Sequence, residues 1–167
     1  MDVFWFLFGF GGRINRAKYW LALVVLLLWG GFFLLLFAED IGRIALLLNH
    51  APSDVRLSAL IPFFVIGSPL LLLGAWVFAA TAIKRLHDRN KSSLWMISYF
   101  IVPAFLGKAG ARIGMTSVME ISALIALGLT LWGCIELYGL KGTPGTNRFG
   151  PDPLSPQKRT GRLVAHR

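Results

Sequence analysis

The stretch Lys84-Arg85-Leu86-His87-Asp88-Arg89-Asn90-Lys91-Ser92-Ser93-Leu94-Trp95 carries four bases, one acid and one imidazole in its first eight positions. Such a set suits three kinds of chemistry. An imidazole beside a carboxylate can move protons, but a catalytic site also needs a nucleophile or base poised in a cleft. His87 and Asp88 are chain neighbours and do not readily orient one another on one face, so we assign no catalytic residue. A metal needs further ligands at matching spacing, and a lone His-Asp pair with a single cysteine, Cys134, does not supply them. Neither a metal site nor a cofactor is expected. The third chemistry is arginine recognition of carboxylate or phosphate through paired N–H donors.

Two other stretches carry matching residues. Arg13 and Arg16 lie near the N-terminus, and Asn147, Arg148 and Asp152 lie near the C-terminus. Together with Arg85, His87, Asp88 and Arg89 they make a candidate site, provided the fold brings three distant segments together. Two uses are open for it. One is a structural clasp in which arginines pair with Asp88, Asp152 or Glu136. The other is binding of an anionic head group, from a phospholipid or a soluble phosphate compound.

The elements that would position these residues are apolar. The chain has 167 residues, 56% of them hydrophobic and only 15% charged, with a mean hydropathy of +0.65. Soluble domains carry about 25% charged residues, so a membrane protein is indicated. The N-terminal aromatic run, Val3 to Phe10, is too short to span, lacks a preceding base and does not read as a signal peptide. Charge-poor spans are expected at about 19–38, 57–83, 94–106 and 118–140, within one domain over 1–153; a basic, disordered tail is expected over 154–167. A short surface helix is expected over Ile41 to Leu48, and turn chemistry over Asn49 to Asp54. Pro62 and Pro69 are expected to kink the second span or mark its outer end. Ser92 or Ser93 is expected to cap the third span, which contains Pro103 and competes with a re-entrant reading.

The net charge of +9 does not point to nucleic acid, because the bases sit between spans and at the ends. Thirteen of the seventeen Lys and Arg fall on the side that holds the N-terminus, the 84–91 loop and the tail. By the positive-inside rule both termini are expected in the cytoplasm, which suits an even number of spans. In the last span Ser122, Ala126, Thr130 and Cys134 recur every four residues, a face of small side chains suited to close helix packing. Ile125, Leu129, Trp132 and Glu136 are expected on the opposite face.

Three motifs stand in order: Phe10-Gly11-Gly12-Arg13-Ile14-Asn15-Arg16 before the first span, Lys84-Arg85-Leu86-His87-Asp88 after the second, and Asn147-Arg148-Phe149-Gly150-Pro151-Asp152-Pro153 after the last. The chain resembles the bacterial family called domain of unknown function 805, small inner-membrane proteins, over about residues 8 to 153. The family pattern has Arg-Arg before Leu-His-Asp, where this chain has Lys84 first. It often has Gly after the loop serine, where this chain has Ser93. The resemblance implies a location in the bacterial inner membrane and a layout, and it implies no activity.

The fold class expected is all-α: an integral membrane four-helix bundle with both termini cytoplasmic. The leading function is a non-enzymatic scaffold or interaction protein with a basic face toward anionic membrane lipids, partnered by a second copy or another membrane protein. A small transporter or channel subunit is the alternative, and a lipid-modifying enzyme the third reading. Transport would call for a polar stripe through several spans, and the first two show none.

Overall fold

The computed structural model describes residues 2–48, 57–113 and 116–155. Within these the chain is helical, apart from its loops and one isolated two-residue bridge in the tail. Helix α1 (Val3–Phe8) is opened by Asp2, whose carboxylate accepts the N–H groups of Phe4 and Trp5. An acid there satisfies two of the free donors at a helix start. Helix α2 runs unbroken over Arg16–Leu48. The separate surface helix expected over Ile41–Leu48 is instead the far end of α2. No Gly-Pro break interrupts it, and Arg43 bonds back to Glu39 and Asp40 one turn earlier.

A short 3-10 turn (Leu57–Leu60) leads through a π-helical turn (Phe63–Gly67) into α3 (Ser68–Asp88). A second π turn (Ile97–Ile101) leads into α4 (Val102–Ile113). Each of these two wide turns ends two residues before a proline, Pro69 or Pro103. Proline has no N–H to give the carbonyl four residues back, and a π turn relieves that defect by bonding to the fifth. Ser68 N–H accordingly reaches Phe63 O, and Val102 N–H reaches Ile97 O. Helix α5 (Thr116–Cys134) passes into a third π turn (Ile135–Gly139). The third apolar segment therefore extends to Ile113, past the end at 106 expected from Gly107 and Lys108. Ser92 and Ser93 precede it through backbone bonds, their carbonyls accepting from Trp95 and Met96, with no side-chain cap. The expected turn at Asn49–Asp54, the far end of α4 to α5 at 114–115 and the basic residues 156–167 lie outside the described residues.

Three helical stretches are long and apolar enough to cross a membrane: Arg16–Leu47, Phe63–Asp88 and Thr116–Gly139. Ile97–Ala109 is a shorter apolar helix. The segments pack as two antiparallel pairs, α2 with α3 and α4 with α5. In the first pair Trp29 donates to Leu70 O at 3.3 Å, and Phe33, Phe37 and Phe63 interlock edge to face. The pairs meet chiefly at one end, where the turn Ile135–Gly139 touches both α2 and α3 and Phe78 meets Phe100 at 5.1 Å. That end also holds the most tightly packed cluster, which includes Phe6, Ile14, Tyr19, Leu86, Tyr99 and Leu137. Further along, large apolar side chains such as Leu28, Leu72 and Leu124 are exposed, as a lipid-facing surface requires.

The four-residue ladder on α5 is only partly the packing face. Steps of four residues advance 400°, so a strict ladder drifts about 40° per step around a helix of 3.6 residues per turn. Ser122 is buried, whereas Ala126, Thr130 and Cys134 are half-buried. The buried seam instead alternates steps of four and three: Ser122, Ala126, Leu129, Gly133 and Glu136. Leu129 and Glu136, assigned from the sequence to the opposite face, thus lie on the inner one. Gly133 is the closest approach, since a Cβ there would lie 2.7 Å from Tyr99 Cβ. Gly128, one and a half turns earlier, has open space around it.

Gly133→Leu is expected to destabilise the protein by about 1–3 kcal/mol through overpacking, seen as a lower melting temperature in detergent. Gly128→Leu is expected to leave the melting temperature within the scatter of exposed substitutions. Equal effects at the two positions would show that α4 and α5 do not pack through Gly133.

Candidate functional site

The polar residues collect at the end where the helix pairs join. Helix α3 stops there in a Schellman turn: Lys91 N–H bonds Leu86 O, Asn90 N–H bonds His87 O, and Asn90 takes the left-handed conformation with φ 58°. This tight stop fixes Arg85, His87 and Asp88 on the last turn of the helix and sends Arg89 and Lys91 toward α5.

Asp88 is the centre of the site. Its Oδ1 accepts from Arg13 Nε at 3.1 Å and Nη2 at 3.0 Å, and its Oδ2 accepts from Arg85 Nη1. All three side chains are at least 97% buried. Arg13 uses its remaining donors on the tail, giving Nη2 to Thr143 O and Nη1 to Gly145 O and Gly150 O. The Asp88 carbonyl accepts in turn from Thr143 N and Oγ1. Gly142 crosses directly over this carboxylate, and a Cβ there would collide with it.

The arginines also finish the end of the last helix. Its terminal carbonyls lack partners within the helix, and the wide π turn splays them outward. Arg85 donates to Leu137 O and Leu140 O, Arg16 to Gly139 O at 2.9 Å, and Arg89 to Lys141 O. Positive charge at a helix C-terminus is further favoured by the helix dipole. Glu136, buried beside this turn, is paired by Arg89 and Lys91. Burial works against the Lys91 charge, yet its bonds to Glu136 and Tyr99 outweigh this and hold its pKa above the ordinary lysine value.

The tail motif closes over the loop. Asn147 and Gly150 pair through both backbone bonds, and Gly145 and Gly150 supply the positive φ that this tight fold needs. Asn147 Nδ2 donates to His87 O at 2.9 Å, and Arg148 to Asn90 O at 3.1 Å. The Phe149 ring stacks on His87 at 3.9 Å with planes 5° apart, while His87 Nδ1–H donates to Gly12 O. Asp152 makes no arginine pair among the described residues. Its oxygens accept the N–H groups of Leu154 and Gly145, and these bonds hold its carboxyl below the usual carboxylate range.

All nine residues of the sequence-derived site thus lie at one end, in one network, with Asp152 holding the tail's own turn and Arg16 holding the end of α5. Several further residues join the network. Lys84 is fully buried, with Nζ 2.7 Å from both Trp5 O and Phe6 O, so it completes the end of α1 as the arginines complete α5. Thr143, Gly142 and Gly12 likewise act through backbone geometry. Gly12 belongs to the first motif, whereas Gly142 and Thr143 had no sequence signal beyond proximity to the last.

A chain with three membrane-capable helices joined by a buried polar clasp is an all-helical integral membrane protein of the multi-pass class. It matches, over residues 7–151, the family described as "Protein of unknown function (DUF805)", and it belongs to that family. It is 27% identical over 154 residues to the uncharacterized protein YiiR of Escherichia coli K12, covering 91% of this chain and 90% of that one. It is 28% identical to the inner membrane protein YhaH of the same strain, over 87% of each chain. For the inner membrane protein YhaI the identity is also 28%, over 87% of this chain and 86% of the relative. No solved structure matches. The protein is a multi-pass protein of the bacterial inner membrane.

Asp88→Asn keeps the shape of the side chain and removes its charge, leaving Arg13 and Arg85 buried without a counter-ion. The expected loss is about 3–5 kcal/mol of stability, measured as thermal unfolding in detergent. Gly142→Ala should displace the tail from Asp88, exposing residues near Phe149 to limited proteolysis. A wild-type melting temperature for Asp88→Asn would mean that the carboxylate is not the counter-ion of this cluster.

Proposed function

We propose that the protein is a non-enzymatic scaffold or interaction protein of the inner membrane. In this reading it is a four-helix bundle, with 97–113 as the fourth crossing, and both termini and the clasp face the cytoplasm. The observation that carries it is the state of the buried charges. Arg13, Arg85 and Asp88 are occupied by one another and by backbone carbonyls, so the cluster works as a joint between segments. His87 is stacked beneath Phe149, and its Nδ1 is taken up by Gly12 O. Both facts favour a structural role over proton transfer.

The orientation rests on charge. Nine Lys and Arg of the described residues, from Arg13 to Arg148, lie at the clasp end of the spans, and such excess is retained in the cytoplasm. The structure of the clasp favours a scaffold over a channel for a second reason. Buried charge concentrates at one end, whereas a conduction path needs polar groups along its length.

Reporter fusions after Arg89 and after Ser155 are expected to report the cytoplasm, and a fusion after Asn49 the periplasm. A periplasmic C-terminus would overturn the orientation. In a strain with a phenotype from loss of the gene, His87→Gln should complement fully, whereas Asp88→Ala should fail because the protein no longer accumulates. A His87→Gln protein that accumulates normally but does not complement would overturn the non-enzymatic reading.

A further inference from the structure

Several cations at the polar end keep side-chain donors without a partner among the described residues; Lys18 lines a hollow of its own, whereas Arg16 and Lys141 lie together. Arg16 gives Nη1 to Gly139 O, and its Nε and Nη2 have no partner among the described residues. Lys141 Nζ has none either, since Lys141 enters the network only through its carbonyl. Both side chains line a cleft of about 310 Å³ between the start of α2 and the tail, walled by Thr143, Pro144 and Asp152. Asp88 forms its floor. A second hollow of about 340 Å³ shares Asn15, Arg16 and Leu154 with the first and opens onto Trp20.

The carboxylates in the cleft do not cancel these cations. Asp88 is already paired with Arg13 and Arg85, and both Asp152 oxygens accept backbone N–H groups. Asp152 keeps its charge, so Arg13, Arg85, Arg16 and Lys141 stand against two carboxylates, Asp88 and Asp152, and two positive charges are left over. The cleft therefore favours an added anion, and a planar arginine edge beside a lysine fits the oxygens of a phosphate.

The surroundings choose between a soluble phosphate and a lipid. Trp20 is half exposed, one helical turn beyond Arg16 and thus about 6 Å deeper along α2. Indole rings favour the boundary between head groups and acyl chains. From Trp20 an exposed apolar strip continues along one face of α2 through Val24, Leu27 and Leu34, at steps of four, three and seven residues. Leu154 stands on the other side of the opening, 73% exposed. A phosphate held by Arg16 and Lys141 would have its glycerol beside Trp20 and Leu154, and a chain could lie along that strip.

We infer that the cleft between α2 and the tail binds the phosphodiester of an anionic phospholipid, with Arg16 and Lys141 as its ligands and Trp20 at its apolar edge. This rests on the proposed reading in one respect, that the polar end of the spans sits at head-group depth.

The test compares the full-length protein with Lys141→Gln and Arg16→Gln in mixed micelles. Each is given phosphatidylglycerol or phosphatidylcholine, and retained lipid is counted by native mass spectrometry. The intact protein should retain phosphatidylglycerol in preference. Each substitution should weaken that preference about fivefold, as expected for one interfacial charge. Lys108→Gln removes the same charge from the exposed surface of α4 and should leave the preference unchanged. Melting in phosphatidylcholine checks folding; Lys141→Gln, which loses no side-chain bond, should match the intact protein there. Equal loss from Lys108→Gln would reduce the effect to net charge and overturn the site. Stabilisation by millimolar inorganic phosphate equal to that by phosphatidylglycerol would overturn the lipid assignment. A periplasmic C-terminus, with lipid preference still lost only at Arg16 and Lys141, would overturn the proposed orientation and leave the site standing.

Discussion

Asp88 sits between two arginines with almost no exposed surface, and much of the molecule's order depends on that arrangement. A single buried arginine would be costly to desolvate, and a single buried carboxylate equally so. Here one carboxylate serves Arg13 from the segment before α2 and Arg85 from its own helix. The surplus positive charge is taken up by carbonyl oxygens. Arg13 continues to Thr143, Gly145 and Gly150, and Arg85 to Leu137 and Leu140. Three parts of the chain that are remote in sequence are thereby held through one side chain. Their apolar faces alone would not fix them, because lipid solvates an apolar side chain as well as a neighbouring helix does.

The same solution recurs at the ends of α1 and α5. Lys84 completes the end of α1, Arg85 and Arg16 the end of α5, and Arg89 the chain just beyond it. Helices that end near a membrane surface leave carbonyls that neither lipid nor the next helix can satisfy. Long cationic side chains reach those carbonyls from a neighbouring segment. Each bond thus closes a helix and ties two segments together. This explains why residues that read as orientation signals are buried: Lys84 and Arg85 have no exposed surface.

Away from the clasp, packing relies on close approach of small residues and on relief of proline strain. Gly67 lies against Phe37 and Phe63, Gly74 against Trp29, and Gly133 against Tyr99. The π turns before Pro69 and Pro103 run directly into α3 and α4, so each apolar segment stays helical past its proline. The cleft beside Arg16 is a by-product of the clasp. The tail passes over Asp88 through Gly142, and the wall it builds leaves a cleft lined by Arg16 and Lys141.

The apolar runs by themselves determined that the chain is helical and membrane-embedded. Hydrogen bonding within lipid permits few alternatives, and the length of each run is visible in composition. The three motifs also identified the family, because their order relative to the spans is a property of the sequence. Which partner each charge takes was decided only in three dimensions. Asp88 and Asp152 carry the same functional group in similar motifs, yet one pairs with two arginines and the other with two backbone N–H groups. That difference depends on where the Schellman turn at Asn90 and the glycine turns at 145 and 150 aim the chain. The face of α5 was misassigned for a related reason. A four-residue recurrence looks like a stripe on paper, but it winds around a helix of 3.6 residues per turn, and only contact with Tyr99 and Lys91 selects the strip that is buried.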